Sequence, residues 1–272
     1  MSIIDYVTQR ERQLTDTTAI LGNTDAILDT SAILGTTPPI QDDNQTEQPV
    51  GIAYYTPDGN RIGTNGNSIG VRIVVTDNRE ARALSRIRGN IDTATVRSGV
   101  TLPSDAVLRE SLDVLQRTID NGGRREEASL VMNCGKPERS ETGPYRNEYG
   151  LTTVYMPRIP VGKTVADVEA TIHSHPTAMD WEEETGAITF WADATVPGPE
   201  DPDIFRDFQT NIIVGPLGRP RLAVRESDIE GNIIRIIPPQ PQPNIGIAIF
   251  NNHSRRPLLI LNREAVERIL GM

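Results

Sequence analysis

Two histidines separated by one residue end an apolar stretch, in the sequence VEATIHSHP of residues 168–176. Alternate side chains of a β-strand point to the same face, so on a strand His173 and His175 present both imidazoles to one side. Two imidazoles that converge in this way form half of a zinc site. Because Cys134 is the only cysteine, a thiolate zinc cluster is excluded. The remaining ligands must be nitrogen or oxygen atoms.

Carboxylates that could complete the site lie on both sides of the histidines. Asp201 follows a Pro-Gly-Pro-Glu turn and begins a predicted short helix, where a carboxylate can be held rigidly. Asp203 is the alternative, although it could merely cap the same helix. Upstream, Glu126 stands where a long predicted helix has ended and a strand begins. Two imidazoles and one carboxylate leave a fourth tetrahedral position for water, which is the pattern of a catalytic zinc site, and a nearby glutamate can relay the proton.

The elements that must position these side chains are a helix and a set of strands. The sequence LPSDAVLRESLDVLQRTIDNGG has Ser104 or Asp105 as N-cap, apolar residues at helical spacing and a Gly-Gly stop, so it predicts a helix over 104–121. The pattern after it predicts a mixed α/β (α+β) fold in which this helix packs across a central sheet. Strands are predicted at 128–133, 150–157, 168–175, 210–216, 221–226 and 231–238.

Composition changes along the chain predict four segments. Residues 1–50 form an N-terminal arm with three Ala-Ile-Leu triplets, which is either loosely packed on the surface or a docking segment for a partner. Residues 51–101 form a small β-rich and helical segment, and residues 102–237 form the domain that bears the site. Residues 238–272 begin with the proline-rich spacer PPQPQP and end with a strand and helix. Limited proteolysis is expected to cut first between Pro38 and Pro49.

The charge balance restricts the class of partner. Lysine and arginine number 27 against 37 acidic residues, a net charge of -10, which argues against a nucleic-acid backbone or an anionic membrane as the main partner. The apolar runs are too short to cross a bilayer, and the first residues lack the pattern of a signal peptide. We therefore expect a protein that is cytoplasmic as synthesised. Export by a system that needs no signal peptide is compatible with this expectation.

The order of helix, glutamate strand, His-Ser-His-Pro and Pro-x-Pro-x-Asp resembles the JAB/MPN metallopeptidase family, whose JAMM motif contains Glu, His-x-His-Pro and Ser-x-x-Asp. It is most similar to the JAB-related domains of bacterial polymorphic toxins. REEASLV at 125–131 resembles the Arg-Glu-Tyr-Gly-Gly-Leu-Ile strand of those domains, and IIVGPLGRPRLAV at 212–224 resembles the strand and Pro-x-Gly turn that follow their Asp helix. The resemblance covers roughly residues 102–237.

This resemblance implies a JAB/MPN-like fold, a cytidine-deaminase-like mixed sheet flanked by helices. It implies zinc bound by His173, His175 and Asp201, with Glu126 as general acid/base. The implied activity is hydrolysis of an amide or isopeptide bond in a protein or peptide substrate. By analogy with the toxin domains, it also implies a bacterial secreted effector whose partners are a secretion or injection apparatus and an immunity protein.

The choice among three glutamates depends on that family pattern. Glu126 places Ala128 and Ser129 at the small-residue positions of the family strand and leaves an intervening strand before the histidines. Glu127 is expected to point to the opposite face of its strand, and Glu148 also precedes a predicted strand. We therefore favour Glu126 and keep both others as alternatives.

Two departures separate this chain from the family motif. The stretch between the histidines and Asp201 is longer than usual and resembles an inserted hairpin or lid. Gly198 stands where the family has the serine that supports the tetrahedral intermediate. We therefore expect the oxyanion donor to be Ser174, Thr195 or a backbone amide.

The departure at Gly198 sustains a second interpretation, a non-catalytic MPN-like scaffold or interaction module. A third, a zinc-dependent nucleotide or nucleic-acid enzyme, is disfavoured by the acidic charge and by the lack of a basic stripe.

Overall fold

The computed structural model describes residues 51–66, 69–145 and 152–272. The arm at 1–50 and the alternative base Glu148 lie outside the described residues. The docking segment, the proteolysis site and the role of Glu148 therefore stay predictions. No helix of the described ranges is both long and apolar enough to cross a membrane.

The described part of the chain contains α-helices and β-strands in a mixed order. The helices are α1 (Asn78–Leu84), α2 (Asp105–Asp120), α3 (Asp201–Phe205) and α4 (Arg263–Leu270). The strands are β1 (Gly51–Tyr55), β2 (Arg61–Asn65), β3 (Ile69–Val75), β4 (Gly99–Thr101), β5 (Ala128–Met132), β6 (Pro137–Arg139), β7 (Val168–Ser174), β8 (Asp180–Trp181), β9 (Ile188–Phe190), β10 (Thr210–Pro216), β11 (Val224–Ser227), β12 (Ile233–Ile237), β13 (Ile245–Asn251) and β14 (Leu259–Asn262).

A six-stranded sheet forms the centre, in the order β14-β13-β10-β7-β5-β6. Strands β7 and β10 are parallel, and their other neighbours pair antiparallel. The predicted mixed α/β class is therefore confirmed. Strand β7, which contains His173 and is followed directly by His175, lies inside this sheet between β5 and β10, where hydrogen bonds on both sides hold its backbone.

The predicted helix at 104–121 is confirmed as α2, which packs on β5, β7, β10 and β13. Ser104 is its N-cap and accepts a hydrogen bond from the Val107 amide. Leu108, Leu112 and Leu115 are buried in the core between the helix and the sheet. Glu169 of β7 accepts hydrogen bonds from both the amide and the hydroxyl of Ser104, so the histidine strand is also tied to the start of the helix.

The strand predicted at 150–157 is wrong for its described part, because residues 152–157 have no regular structure. Strand β6 instead lies beside β5, pairing Val131 with Pro137 after a short turn. Gly135 adopts φ +80° in that turn, a conformation that favours glycine. A short turn closes this pairing at a lower entropy cost than a long connection would.

The central sheet extends beyond residue 237. Strand β13 pairs with β10 along its whole length, from Thr210 opposite Asn251 to Pro216 opposite Ile245. Strands β11 and β12 pair only with each other among the described strands, as a separate hairpin. The C-terminal segment, predicted to be separate from the domain that bears the site, therefore supplies strands β13 and β14 of the central sheet.

A smaller four-stranded sheet, in the order β2-β1-β3-β4, precedes α2 in the chain. Tyr55 and Val74 of this sheet belong to the same apolar core as α2. Arg72 of β3 also forms an ion pair with Asp105 at the start of the helix. The two sheets therefore share a core.

Candidate metal centre

His173 in β7 and His175, which directly follows the last residue of that strand, come together as the alternation predicts. The ring centroids of His173 and His175 lie 5.5 Å apart on one face of the central sheet. His173 is 5% exposed, so its imidazole is almost fully withdrawn from solvent.

Asp201, the first residue of α3, completes a group of three ligands. Its Oδ1 lies 3.3 Å from His173 Nε2, and its Oδ2 lies 3.5 Å from His175 Nε2. One ligand atom from each residue lies within 4.8 Å of the other two, so the group can hold a metal ion. Ligand atoms about 2.0–2.1 Å from a tetrahedral zinc would be roughly 3.3 Å apart. The two measured separations agree with that geometry.

A buried nitrogen of the group lacks a partner. His173 Nε2 is inaccessible to solvent and satisfies no hydrogen-bond geometry among the described residues, although Asp201 Oδ1 lies 3.3 Å away. Leaving a polar atom buried and unsatisfied costs about 1–3 kcal/mol. A cation bound between the imidazoles and the carboxylate would satisfy this atom.

The carboxylate of Asp201 is oriented by the turn before it. The Gly198 amide donates to its Oδ2 at 2.6 Å. Burial by itself raises the pKa of Asp201, but His173 and His175 outweigh burial and hold that pKa well below its usual range. The carboxylate is therefore ionised and ready to bind a cation. Asp203 pairs instead with Arg206 at the surface, which separates it from the group.

A backbone carbonyl fixes the tautomer of His175. Its Nδ1 donates to the carbonyl oxygen of Asp193 at 3.0 Å, so the proton sits on Nδ1 and Nε2 keeps a free lone pair for a metal. The Asp193 carboxylate in turn accepts from the amides of Thr195 and Gly218, at 2.8 and 3.0 Å. These bonds hold the loop whose carbonyl orients the ligand.

Glu126 lies beside the three ligands, just before β5. It is buried, and the charges of His173, His175 and Asp201 act on it. Burial raises the pKa of Glu126 above its ordinary value, although the histidines oppose this effect. Thr152 Oγ1 donates a hydrogen bond to Glu126 Oε1. A buried carboxyl with a raised pKa is suited to take up and release a proton near neutral pH.

The neighbouring glutamate has a different set of contacts. Glu127 Oε2 accepts from Arg117 Nη1 at 2.7 Å, and its Oε1 accepts from Asn121 Nδ2 at 2.9 Å. Both partners belong to α2 or to the residue that ends it. The structure therefore places Glu127 among helix side chains, whereas Glu126 is the one of the two adjacent glutamates on which both histidines and Asp201 act.

Ser174 does not occupy the place expected of an oxyanion donor. It lies between the two histidines in the strand, so its side chain points to the opposite face. Its buried Oγ accepts a hydrogen bond from the Glu127 amide at 2.9 Å. The hydroxyl of Thr195, the other candidate, donates to Asp193 Oδ1. Ser174 therefore holds the backbone that follows Glu126 against the histidine strand, which the sequence did not predict.

The long stretch between the histidines and Asp201 contains the predicted hairpin, formed by β8 and β9. The Ala178 amide donates to the Gly123 carbonyl oxygen at 2.9 Å, and Arg124 pairs with Asp180 at 2.7 Å. These contacts tie the hairpin to the residues that follow α2. The insertion is therefore anchored at the end of the helix that precedes Glu126.

Gly215 of β10 packs directly against a ligand. A Cβ at this position would lie 2.9 Å from the His175 carbonyl oxygen and 3.4 Å from its Cβ, and φ is +153°. We expect Gly215→Ala to displace His175 and weaken zinc binding by about tenfold or more, the range seen when the surroundings of a ligand are disturbed. Zinc affinity measured by competition with a chelator tests this.

Gly162→Ala is the matched control, since Gly162 also has positive φ but would place its Cβ in open space. It should lower stability and leave zinc affinity unchanged. Equal affinities for both variants would show that Gly215 does not position the ligand.

Searches against protein-family models, curated proteins and solved structures found no match to this chain. The chemistry open to the site is therefore inferred from its own geometry.

Proposed function

We propose that this protein is a zinc-dependent hydrolase of amide or isopeptide bonds in a protein or peptide substrate. His173, His175 and Asp201 would hold the metal, and Glu126 would act as general acid/base. The observation that carries this proposal is the buried Nε2 of His173, which has no hydrogen-bond partner in the described part of the chain and lies beside an ionised carboxylate and a second imidazole. The resemblance to the JAMM motif supports the same reaction class.

The chain supplies the parts that such a reaction needs. When bound, zinc supplies a Lewis acid and lowers the pKa of a water ligand to about 7. Glu126 takes the proton of the attacking water on its carboxylate and delivers it to the leaving nitrogen. Thr152 holds one carboxylate oxygen of Glu126 by a hydrogen bond, which orients the carboxylate for this transfer. Burial of the site strengthens each of these interactions.

Zinc is the metal that this set of ligands favours. Two imidazoles and a carboxylate form one of the sets found in catalytic zinc sites, which keep a fourth position for water or substrate. Asp193 is the outer partner that metal-bound histidines usually have, since its carbonyl accepts from the nitrogen of His175 that faces away from the site.

Gly198 favours a second candidate function, that of a non-catalytic MPN-like scaffold. The JAMM motif has a serine at this position, whose hydroxyl supports the tetrahedral intermediate. Glycine has no hydroxyl to replace it. The Gly198 amide is directed at the ligand Asp201. A scaffold would keep the fold without needing the metal.

Metal analysis of the purified protein separates these two functions. We expect close to one zinc per chain after dialysis against metal-free buffer, because hydrogen bonds already hold His175 and Asp201 and burial in the sheet restricts His173. Elemental analysis by mass spectrometry measures this ratio. A chain that binds no zinc, even after reconstitution, would support the scaffold.

A further inference from the structure

We propose that Asn211, together with Thr171, is a positioning residue that holds Asp201 at the metal centre. The proposal rests on the metal site described above and concerns two residues that contribute no ligand. Both are buried, with exposures of 0% for Asn211 and 1% for Thr171. They face each other in the parallel pairing of β10 with β7.

Asp201 needs such support because its helix is very short. Helix α3 contains five residues and makes no side-chain hydrogen bond at its N-cap. Isolated helices shorter than about 12 residues are marginal in water, so contacts with the rest of the fold must fix α3. At its start, the Gly198 amide orients the Asp201 carboxylate.

Asn211 supplies the anchor at the other end of α3. Its Nδ2 donates to the carbonyl oxygens of Phe205 and Phe208, at 3.3 and 2.8 Å. Carbonyls at a helix C-terminus have no partner within the helix, so a buried end needs donors from elsewhere. One amide group therefore satisfies two carbonyls at the end of α3 and the turn that follows it.

Thr171 connects this anchor to the strand of the histidines. Its hydroxyl donates to Asn211 Oδ1 at 2.7 Å, and it precedes His173 by two positions in β7. A continuous set of hydrogen bonds thus runs from the histidine strand through Asn211 to the helix of Asp201. The spacing between the carboxylate and the imidazoles depends on this link.

Apolar packing also holds α3 against the central sheet. Phe205 lies with its ring centroid 6.5 Å from that of His173 and 5.3 Å from that of Phe250. Such contacts keep α3 on the sheet, but they are not directional and allow it to slide. The hydrogen bonds of Asn211 have defined directions and fix its position.

The test compares Thr171→Val with Thr171→Ser. Valine keeps the shape of threonine and removes the hydroxyl, so we expect zinc affinity to fall about tenfold, the lower end of the range for direct partners of metal ligands, because Thr171 acts on Asp201 only through Asn211 and the helix. Serine keeps the hydroxyl and should bind zinc within a few-fold of wild type. The visible spectrum of the cobalt-substituted protein should change for valine and not for serine, because it reports ligand geometry.

A second control distinguishes a positioning role of Thr171 from a general contribution to stability. Thr118→Val removes a buried hydroxyl of α2 that donates to the Val114 carbonyl of the same helix and is hydrogen-bonded neither to Asn211 nor to α3. It should lower the melting temperature and leave both zinc affinity and the cobalt spectrum unchanged. If Thr171→Val behaves like Thr118→Val, the proposal is overturned.

Two further measurements keep the test decisive. Asn211→Leu should weaken zinc binding at least as much as Thr171→Val; if it does not fold, Thr171→Val decides alone. A crystal structure of metal-free Thr171→Val should show Asp201 Oδ1 farther from His173 Nε2 than the present 3.3 Å. That distance needs no bound metal, so an unchanged value refutes the positioning role even if the wild-type protein proves to be a scaffold.

Discussion

Replacing Glu126 with glutamine is expected to leave zinc bound and to lower hydrolysis by about 10²-fold or more. Glutamine has nearly the same volume and can keep the hydrogen bond from Thr152, but it cannot accept the proton of the attacking water. Since Glu126 is not one of the three residues that form the ligand group, metal content should be unaffected. Until a substrate is known, inhibition of cell growth serves as the measure of activity. Cells that express wild type or Glu126→Gln in the cytoplasm or the periplasm are compared, and Glu126→Gln should relieve any inhibition that wild type causes.

Glu127→Gln is the matched control for this experiment. It removes the ion pair with Arg117, so it should lower stability while leaving the hydrolytic step intact. If Glu127→Gln or Glu148→Gln abolishes activity and Glu126→Gln does not, the acid/base has been assigned to the wrong residue. If all three variants and His175→Ala remain active, the protein works without this site.

Replacing His175 with alanine is expected to abolish the stabilisation that zinc gives to the wild-type protein. A ligand at about a hundred times its dissociation constant adds about 2.7 kcal/mol to the free energy of unfolding. For a chain of this size that corresponds to a rise in melting temperature of roughly 5–10 °C. Wild-type protein should show this rise on adding zinc after chelation, and His175→Ala should show none.

His253→Ala controls for zinc bound at other histidines. His253 is exposed in the turn after β13, away from the ligands, and it completes the three histidines of the chain. This variant should keep the full rise in melting temperature. A rise that survives in His175→Ala would place the stabilising zinc elsewhere.

The sequence predicted which three residues form the candidate metal group because most of their signal is local. Strand alternation places His173 and His175 on one face, and the apolar run before them predicts the buried strand. Helix α2 was similarly clear, since its cap, apolar spacing and glycine stop all agree. Asp201 was identified from its turn, although its distance from the histidines in space could not be derived from the chain alone.

The residues around the ligands carried no such signal. Thr152, Asp193 and Asn211 act through contacts with residues distant in sequence, and each belongs to a type common at surfaces. In the sequence TNIIVGP, Asn211 is a polar residue beside an apolar run. Its partner Thr171 is identified only by the pairing of β10 with β7. Ser174 was considered as an oxyanion donor because of its position between the two histidines, whereas alternation directs its side chain to the other face, where its Oγ accepts from the Glu127 amide.

The pairing of β13 with β10 determines when during synthesis the site can form. Phe250 of β13 packs on Phe205, which in turn packs on His173. A ribosome that has released β10 has not yet released this support, so the nascent chain has all three ligands but lacks the strand beneath them. We therefore expect the metal centre to reach its final arrangement only after residues 245–251 have emerged, later than the three candidate ligands themselves.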